Sequence, residues 1–230
     1  TMGRPLRVAP GGLVYHVLNR ANGRQRLFDG DGDYRAFEWV LTQACERVSM
    51  RLLAYCVMPN HWHLVVWPQQ DGDLSRFMNW LTLTHTQRWH THRQTVGTGH
   101  LYQGRFKSFV VQTDEHLVTV CRYVERNALR AGLVERAEAW QWSSLWRKTY
   151  GDAQQQTLVS EWPIVRPTDW MGWVNADEAG EELRRLRQSV VRSQPFGELE
   201  WVTATIERFG LVSTIRNEGR PRKVLMENCS

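Results

Sequence analysis

The sequence predicts an α+β fold: a single antiparallel sheet in the ferredoxin-like order β-α-β-β-α-β, with helices on one face, then an added C-terminal helix and a basic, mostly helical tail. Three observations carry this. Runs rich in β-branched and aromatic residues stand at Leu13–Asn19, Met50–Val57, His61–Trp67 and Phe106–Gln112, the composition of strands. Between the first and second runs, and between the third and fourth, apolar residues recur every three or four positions, which is the helical period. The second and third runs are separated by little more than Pro59-Asn60, a turn dipeptide, so they should form a hairpin.

Each element has its own signal. The first strand, LVYHVLN, leads into a basic loop, Arg20 to Arg26. Asp31 to Asp33 offer caps for a helix reaching about Val48, with Phe37, Val40, Leu41, Ala44 and Val48 at helical spacing. Asp71-Gly72-Asp73 should cap a second helix, Leu74 to about His92, whose inward stripe is Leu74, Phe77, Met78, Leu81 and His85. A Gly/Thr-rich loop, Gln94 to His100, precedes the fourth strand. Thr113, with Asp114 and Glu115 in the first turn, opens the added helix, and Gly132 is a suitable residue to end it. Its apolar stripe is Leu117, Val120, Cys121, Val124 and Ala128. Beyond Trp140 the pattern weakens to a short helix near Trp140–Tyr150, a loop over Asp152–Asp169, and two helices at Glu181–Arg192 and Glu198–Phe209 broken at Pro195. The expected division is a domain over 10–150 and a basic extension over 151–230.

Composition narrows the functional classes. Of 230 residues, 42% are hydrophobic and 23% charged, which is enough for a core and too apolar for a disordered chain. The net charge is +5, a modest bias towards a polyanionic partner. It concentrates near the end: Leu183 to Lys223 holds nine Lys or Arg against four Glu. Cys45, Cys56, Cys121 and Cys229 show no Cys-x-x-Cys spacing, which disfavours a structural zinc site and fits free thiols of a reducing compartment. No apolar run approaches about 18 residues and no signal-type apolar core stands near the N-terminus, so a soluble cytoplasmic protein with no membrane partner is expected.

Two motifs carry chemistry. In Pro59-Asn60-His61-Trp62-His63 the histidines are two apart on a strand, so they face the same way and suit one shared metal ion. In Cys121-Arg122-Tyr123-Val124-Glu125-Arg126-Asn127 the tyrosine and asparagine are four apart on a helix, hence on one face. Two imidazoles and an amide oxygen suit a divalent ion with open positions for phosphate oxygens. Each also has an ordinary structural reading: buried histidines, a half-buried tyrosine, an amide satisfying backbone groups. Arg122, Arg126 and Arg130 line the neighbouring faces, either as a solvated surface or as phosphate contacts. Tyr102-Gln103-Gly104-Arg105-Phe106-Lys107 alternates rings and cations, a pattern suited to single-stranded nucleic acid. Arg20, Arg24 and Arg26 in the first loop are further candidates. So are Arg220, Arg222 and Lys223, which could lie along a phosphate backbone or a groove.

MPNHWHLVV, LYQGRFKSF and CRYVERNALRAGLV together closely resemble the single-tyrosine HUH transposases, which are IS200-like, and among them the REP-associated tyrosine transposases of bacteria. The resemblance covers roughly Pro10 to Tyr150, and the late GELEWV…GRPRK segment looks like the tail of longer members. It implies that His61 and His63 are the metal-binding pair, with Trp62 in the bulky hydrophobic slot between them. It further implies that Tyr123 is the nucleophile and that Asn127 is the third, amide-type ligand. Ala128 departs from the proline many members carry there. The implied cofactor is Mg²⁺ or Mn²⁺, and the implied reaction is attack of Tyr123 on single-stranded DNA at small imperfect hairpins, leaving a 5′-phosphotyrosine and a free 3′-hydroxyl. A monomer is expected, although insertion-sequence relatives form dimers that exchange tyrosines. Two other classes compete: a non-catalytic regulator binding hairpin nucleic acid on the same fold, and a hydrolase that uses water while Tyr123 is structural.

Overall fold

The computed structural model describes residues 9–177 and 180–215. Four strands, β1 (Val14–Arg20), β2 (Arg51–Met58), β3 (His61–Trp67) and β4 (Lys107–Val111), form one antiparallel sheet in the order β2-β3-β1-β4. Helix α1 (Asp31–Val48) joins β1 to β2, and α2 (Asp73–His92) joins β3 to β4. This is the expected β-α-β-β-α-β arrangement. The added helix follows as α3 (Glu115–Glu125) and a short α4 (Asn127–Arg130). Then come α5 (Ser144–Tyr150), α6 (Ala153–Gln156), α7 (Trp170–Asn175), α8 (Glu181–Arg192) and α9 (Leu199–Phe209).

Each sheet face has its own core. On one face Tyr15, Val17, Tyr55, Val57, Trp62 and Leu64 meet the stripes of α1 and α2, including Phe37, Leu41, Phe77 and Leu81. On the other, Val14, Ala54, Cys56, Val65 and Phe109 meet Leu117, Val120, Cys121, Val124 and Ala128 of α3 and α4. Side chains alternate along a strand, so Trp62 enters the first core while its neighbours His61 and His63 turn to the second face.

Residues after 150 wrap this framework rather than building a core of their own. Leu158 and Val159 join the first core; Trp170, Val174, Leu183, Leu186 and Phe196 join the second. Both sheet edges are covered. Along β2, Val57 N–H donates to the Trp142 carbonyl (2.8 Å) and Ser160 N–H to that of Leu52 (2.7 Å). Along β4, Phe196 N–H donates to Val110 O and Gln112 N–H to Phe196 O, both at 2.9 Å. Covered edges cannot template a further strand.

Two details differ from the sequence reading. The added helix steps at Arg126 (φ −79°, ψ −3°) before continuing as α4; it then ends at Gly132, with φ +67° and a Leu133 N–H bond to Ala128 O, a Schellman-type stop. Helix α7 was not anticipated. Six residues are too few for a periodic signal, and Gly172 within them is a poor helix former. The helix is held by an Asp169 cap on Gly172 N–H and by burial of Trp170 and Val174, four apart.

His85 is buried at the α2 face against Phe28 and Phe37, and its Nδ1 lies in hydrogen-bond contact with Tyr102 Oη at 2.6 Å. Burial pushes its pKa from 6.5 down to about 3. The unfolded chain then binds a proton below pH 6.5 that the folded protein refuses until about pH 3. This histidine's contribution is therefore constant above pH 6.5 and is lost as pH falls through that window. The slope is at most about 1.4 kcal/mol per pH unit. His85→Leu should flatten the dependence of the urea midpoint on pH between those limits by one proton; an unchanged slope would refute the assignment.

Candidate active site

The β1–β3 register builds the site. His61 lies opposite Arg20, and His63 opposite Leu18. Helix α3 crosses the same face and brings Tyr123 to the pair. The Tyr123 ring stands 6.0 Å from that of His63, edge-on at 79°, and the His61 and His63 rings are 5.2 Å apart at 78°. Tyr123 is 8% exposed and Asn127 6%. Trp62 anchors the strand from behind, donating its indole N–H to Tyr102 Oη at 3.0 Å.

Hydrogen bonds set which imidazole nitrogen faces the site. His61 Nδ1 lies 2.6 Å from Asn60 Oδ1. The Asn60 amide is oriented by its nitrogen donating to Arg24 O. An amide oxygen only accepts, so His61 carries its proton on Nδ1 and keeps the Nε2 lone pair. Burial, then the Arg20 and Arg130 charges, push the His61 pKa down to about 4. Burial, then its histidine neighbours and the same arginines, hold His63 well below its ordinary value. Neutral imidazoles are the metal-binding form.

Arg130 joins the nucleophile and ligand candidates. Its guanidinium lies 4.0 Å from the Tyr123 ring centroid and donates to Asn127 Oδ1 at 3.0 Å and to Tyr123 O at 3.3 Å. The Asn127 oxygen therefore accepts one bond and has a second lone pair, while its Nδ2 is buried without a hydrogen-bond partner. Two neutral imidazoles and an amide oxygen are donor types that fit a hard or borderline divalent ion. A second set of metal-type donors, Asp114, Glu115 and His116, lies at the first turn of α3. There Asp114 Oδ1 is already engaged by His116 N–H and Nδ1.

Other candidates are placed unevenly. Arg20, Arg105 and Lys107 line an open groove with Leu18, Gln103 and Val191 on the β1–β4 side of the histidines, Lys107 Nζ donating to Val191 O at 2.9 Å. Arg24 and Arg26 lie on the exposed loop after β1, Arg26 paired with Asp29 at 3.3 Å. Tyr102, expected to stack on bases, is instead 7% exposed, and its hydroxyl is shared between Trp62 and His85; its ring packs in the core. Arg122 and Arg126, expected to face phosphates, turn to the end of α7. Arg122 donates to Ala176 O and Asp177 O, and Arg126 to Val174 O and Asn175 O. Unpaired carbonyls and the negative end of the helix dipole draw them there. Arg220, Arg222 and Lys223 lie outside the described residues.

Two residues at the site were missed in the sequence. Asn60 read only as a turn former. His16 lies in the middle of β1, fully buried, with its Nε2 2.9 Å from His63 Nδ1. It shares the face of Leu18 and Arg20, but only the β1–β3 register shows that this face adjoins His63.

Comparisons with known proteins bear on the family and the fold. The family model described as transposase, IS200-like, matches residues 11–127. A Haemophilus influenzae protein described as a REP-associated tyrosine transposase is 24% identical over 171 residues, 70% of this chain and 89% of that protein. A solved structure of a REP-associated tyrosine transposase bound to a REP hairpin superposes with a TM-score of 0.52 at 16% identity, covering 73% of this chain and 96% of the other. The fold is therefore the known one of that transposase, and the resemblance carried by the three motifs is borne out. With half of its length matched by the family model, the chain belongs to the IS200-like transposase family.

Proposed function

We propose that the protein cleaves and rejoins single-stranded DNA at REP-type hairpins, with Tyr123 as nucleophile and with Mg²⁺ or Mn²⁺ held by His61, His63 and Asn127. The observation that carries this is the edge-on approach of the Tyr123 ring to the neutral His63 ring on one sheet face. When bound, the ion supplies Lewis-acid polarisation of the scissile phosphate. The Tyr123 phenolic oxygen attacks phosphorus as its proton passes to solvent. The bond from phosphorus to the 3′-oxygen breaks, and that oxygen takes up a proton. The 5′-phosphate remains on Tyr123, so a second 3′-hydroxyl can reverse the step without an external energy source. Arg130, whose guanidinium lies over the phenol ring, is placed to offset the negative charge gathering on the phosphate. The test is a covalent-adduct assay: labelled single-stranded DNA carrying REP-type hairpins, with Mn²⁺ or with EDTA, resolved on denaturing gels. A metal-dependent adduct is expected. Tight binding across a panel of repeats with neither cleavage nor adduct would overturn the reading in favour of a binding module.

The groove of Arg20, Arg105 and Lys107 is the proposed path of the strand beside the scissile phosphate. Replacing Arg20 and Arg105 by Ala should weaken binding and flatten the plot of log affinity against log salt by about 0.7 per residue. An unchanged salt slope would place the DNA elsewhere. The covered edges of β2 and β4 support a monomer in which Tyr123 serves its own histidines, and a dimer mass in light scattering would refute it. Among the described residues no helix is long and apolar enough to cross a membrane. The family's DNA chemistry supports a cytoplasmic location, at the nucleoid when DNA is bound; recovery of the native protein in the membrane fraction would refute that.

A further inference from the structure

We propose that His16 is a positioning residue that holds His63 in the tautomer with its proton on Nδ1, leaving the Nε2 lone pair towards the ion site. The proposal rests on the reading that His61 and His63 hold the ion.

His16 Nε2 and His63 Nδ1 are 2.9 Å apart and fully enclosed. Between two neutral imidazoles such a contact holds a single proton. If it sits on His16, His63 must turn an N–H towards the site and has no lone pair to offer there. If it sits on His63, the Nε2 lone pair is free. The neighbouring ligand shows which arrangement the site is built for. Asn60 Oδ1 forces His61 to carry its proton on Nδ1, so the two histidines then present the same nitrogen. Outer partners of this kind commonly fix the tautomer and orientation of ligating histidines.

The setting of His16 supports a role beyond packing. It stands on β1, between β3 and β4 in the sheet, with its ring 4.8 Å from that of Phe109 and 5.0 Å from that of His63. It has little freedom to move. Its second nitrogen, Nδ1, is buried with no hydrogen-bond partner. An apolar side chain would avoid that cost, so an unpaired polar atom here calls for a reason. Holding the proton of His63 is one that the geometry supplies.

The test uses the full chain labelled with ¹⁵N-histidine. Long-range ¹⁵N–¹H correlation spectra report the His63 tautomer before any metal is added. Mn²⁺ titration followed by the electron paramagnetic resonance signal of the free ion reports affinity without DNA. In the wild type His63 should carry its proton on Nδ1, the minor form of a neutral histidine in water. His16→Leu should move it to Nε2 and weaken Mn²⁺ binding by roughly 10- to 100-fold. His16→Gln, which restores an acceptor, should recover most of both, a rescue that simple packing would not produce. Wild-type His63 protonated on Nε2, or unchanged Mn²⁺ affinity in His16→Leu, would overturn the proposal. If wild type binds no Mn²⁺ while His63 carries its proton on Nδ1 and loses it in His16→Leu, the ion reading fails and the role of His16 in fixing His63 stands.

Discussion

Tyr123→Phe is expected to abolish the covalent DNA adduct and to lower strand cleavage by roughly 10⁴-fold or more, the scale on which covalent catalysts lose rate with their nucleophile. The substitution removes one oxygen and keeps the ring. That ring is what the surroundings hold, packed under the Arg130 guanidinium and against His63 and His16. The variant should therefore fold with the wild-type melting temperature and bind hairpin DNA as before. Under the competing hydrolase reading, water is the nucleophile and cleavage survives. Denaturing gels on both proteins separate the two: equal cleavage with no adduct in either would sink the tyrosine mechanism. His61→Ala with His63→Ala should also abolish the adduct, through loss of the ion, and Mn²⁺ should not restore it.

Arg147→Ala should be the most destabilising single change outside the site, by about 3–5 kcal/mol. Arg147 reaches from α5 to Glu38 on α1, with Nη2 2.7 Å from Oε2. Its Nε donates to Tyr55 Oη at 2.7 Å, and that hydroxyl donates to Glu38 Oε1 at 2.6 Å. All three side chains are buried. Truncating the arginine strands a carboxylate in the α1 core, a large loss against the about 5–15 kcal/mol that stabilises a typical domain. Removing both charges, as in Glu38→Leu with Arg147→Met, should recover most of the loss, because the desolvation cost disappears along with the pair. Urea midpoints decide it. An Arg147→Ala midpoint close to wild type would mean the triad contributes little. The same contact argues that the segment after residue 140 belongs to the catalytic fold, as does Glu125 on α3, which accepts from Ser144 on α5 and Trp170 on α7.

The elements up to Gly132 were legible because each depends on local chemistry. The stripe Leu74, Phe77, Met78, Leu81 and His85 is the buried face of α2, and Glu181–Arg192 is helical to the residue, since the 3.6-residue period is written in the order of side chains. The pairing of His61 with His63, and of Tyr123 with Asn127, follows from periods of two and of about four. The functions of the arginines were not legible. Arg122, Arg126 and Arg130 stand four apart in the chain and look alike as a sequence. Yet two of them close the end of α7 and the third covers Tyr123. Tyr102 was misplaced for the same reason: ring-and-cation alternation describes composition, whereas the side a ring faces is decided by a partner 17 residues away on α2 and another 40 away on β3.

By itself, then, the sequence determined the strand and helix order as far as Gly132, the shared face of His61 and His63, the four-residue spacing that puts Tyr123 beside Asn127, and the resemblance through three motifs. These depend on backbone periodicity, which short stretches of chain carry alone. Tertiary structure alone decided that β1 lies against β3 with His16 touching His63, that Asn60 sets the tautomer of His61, and that residues beyond 140 cover both sheet edges. The His16–His63 contact, and the Asn60–Arg24 contact that orients the amide, join positions tens of residues apart. Strand register and side-chain burial, neither of which has a local signal, determine which of many compatible neighbours each side chain meets.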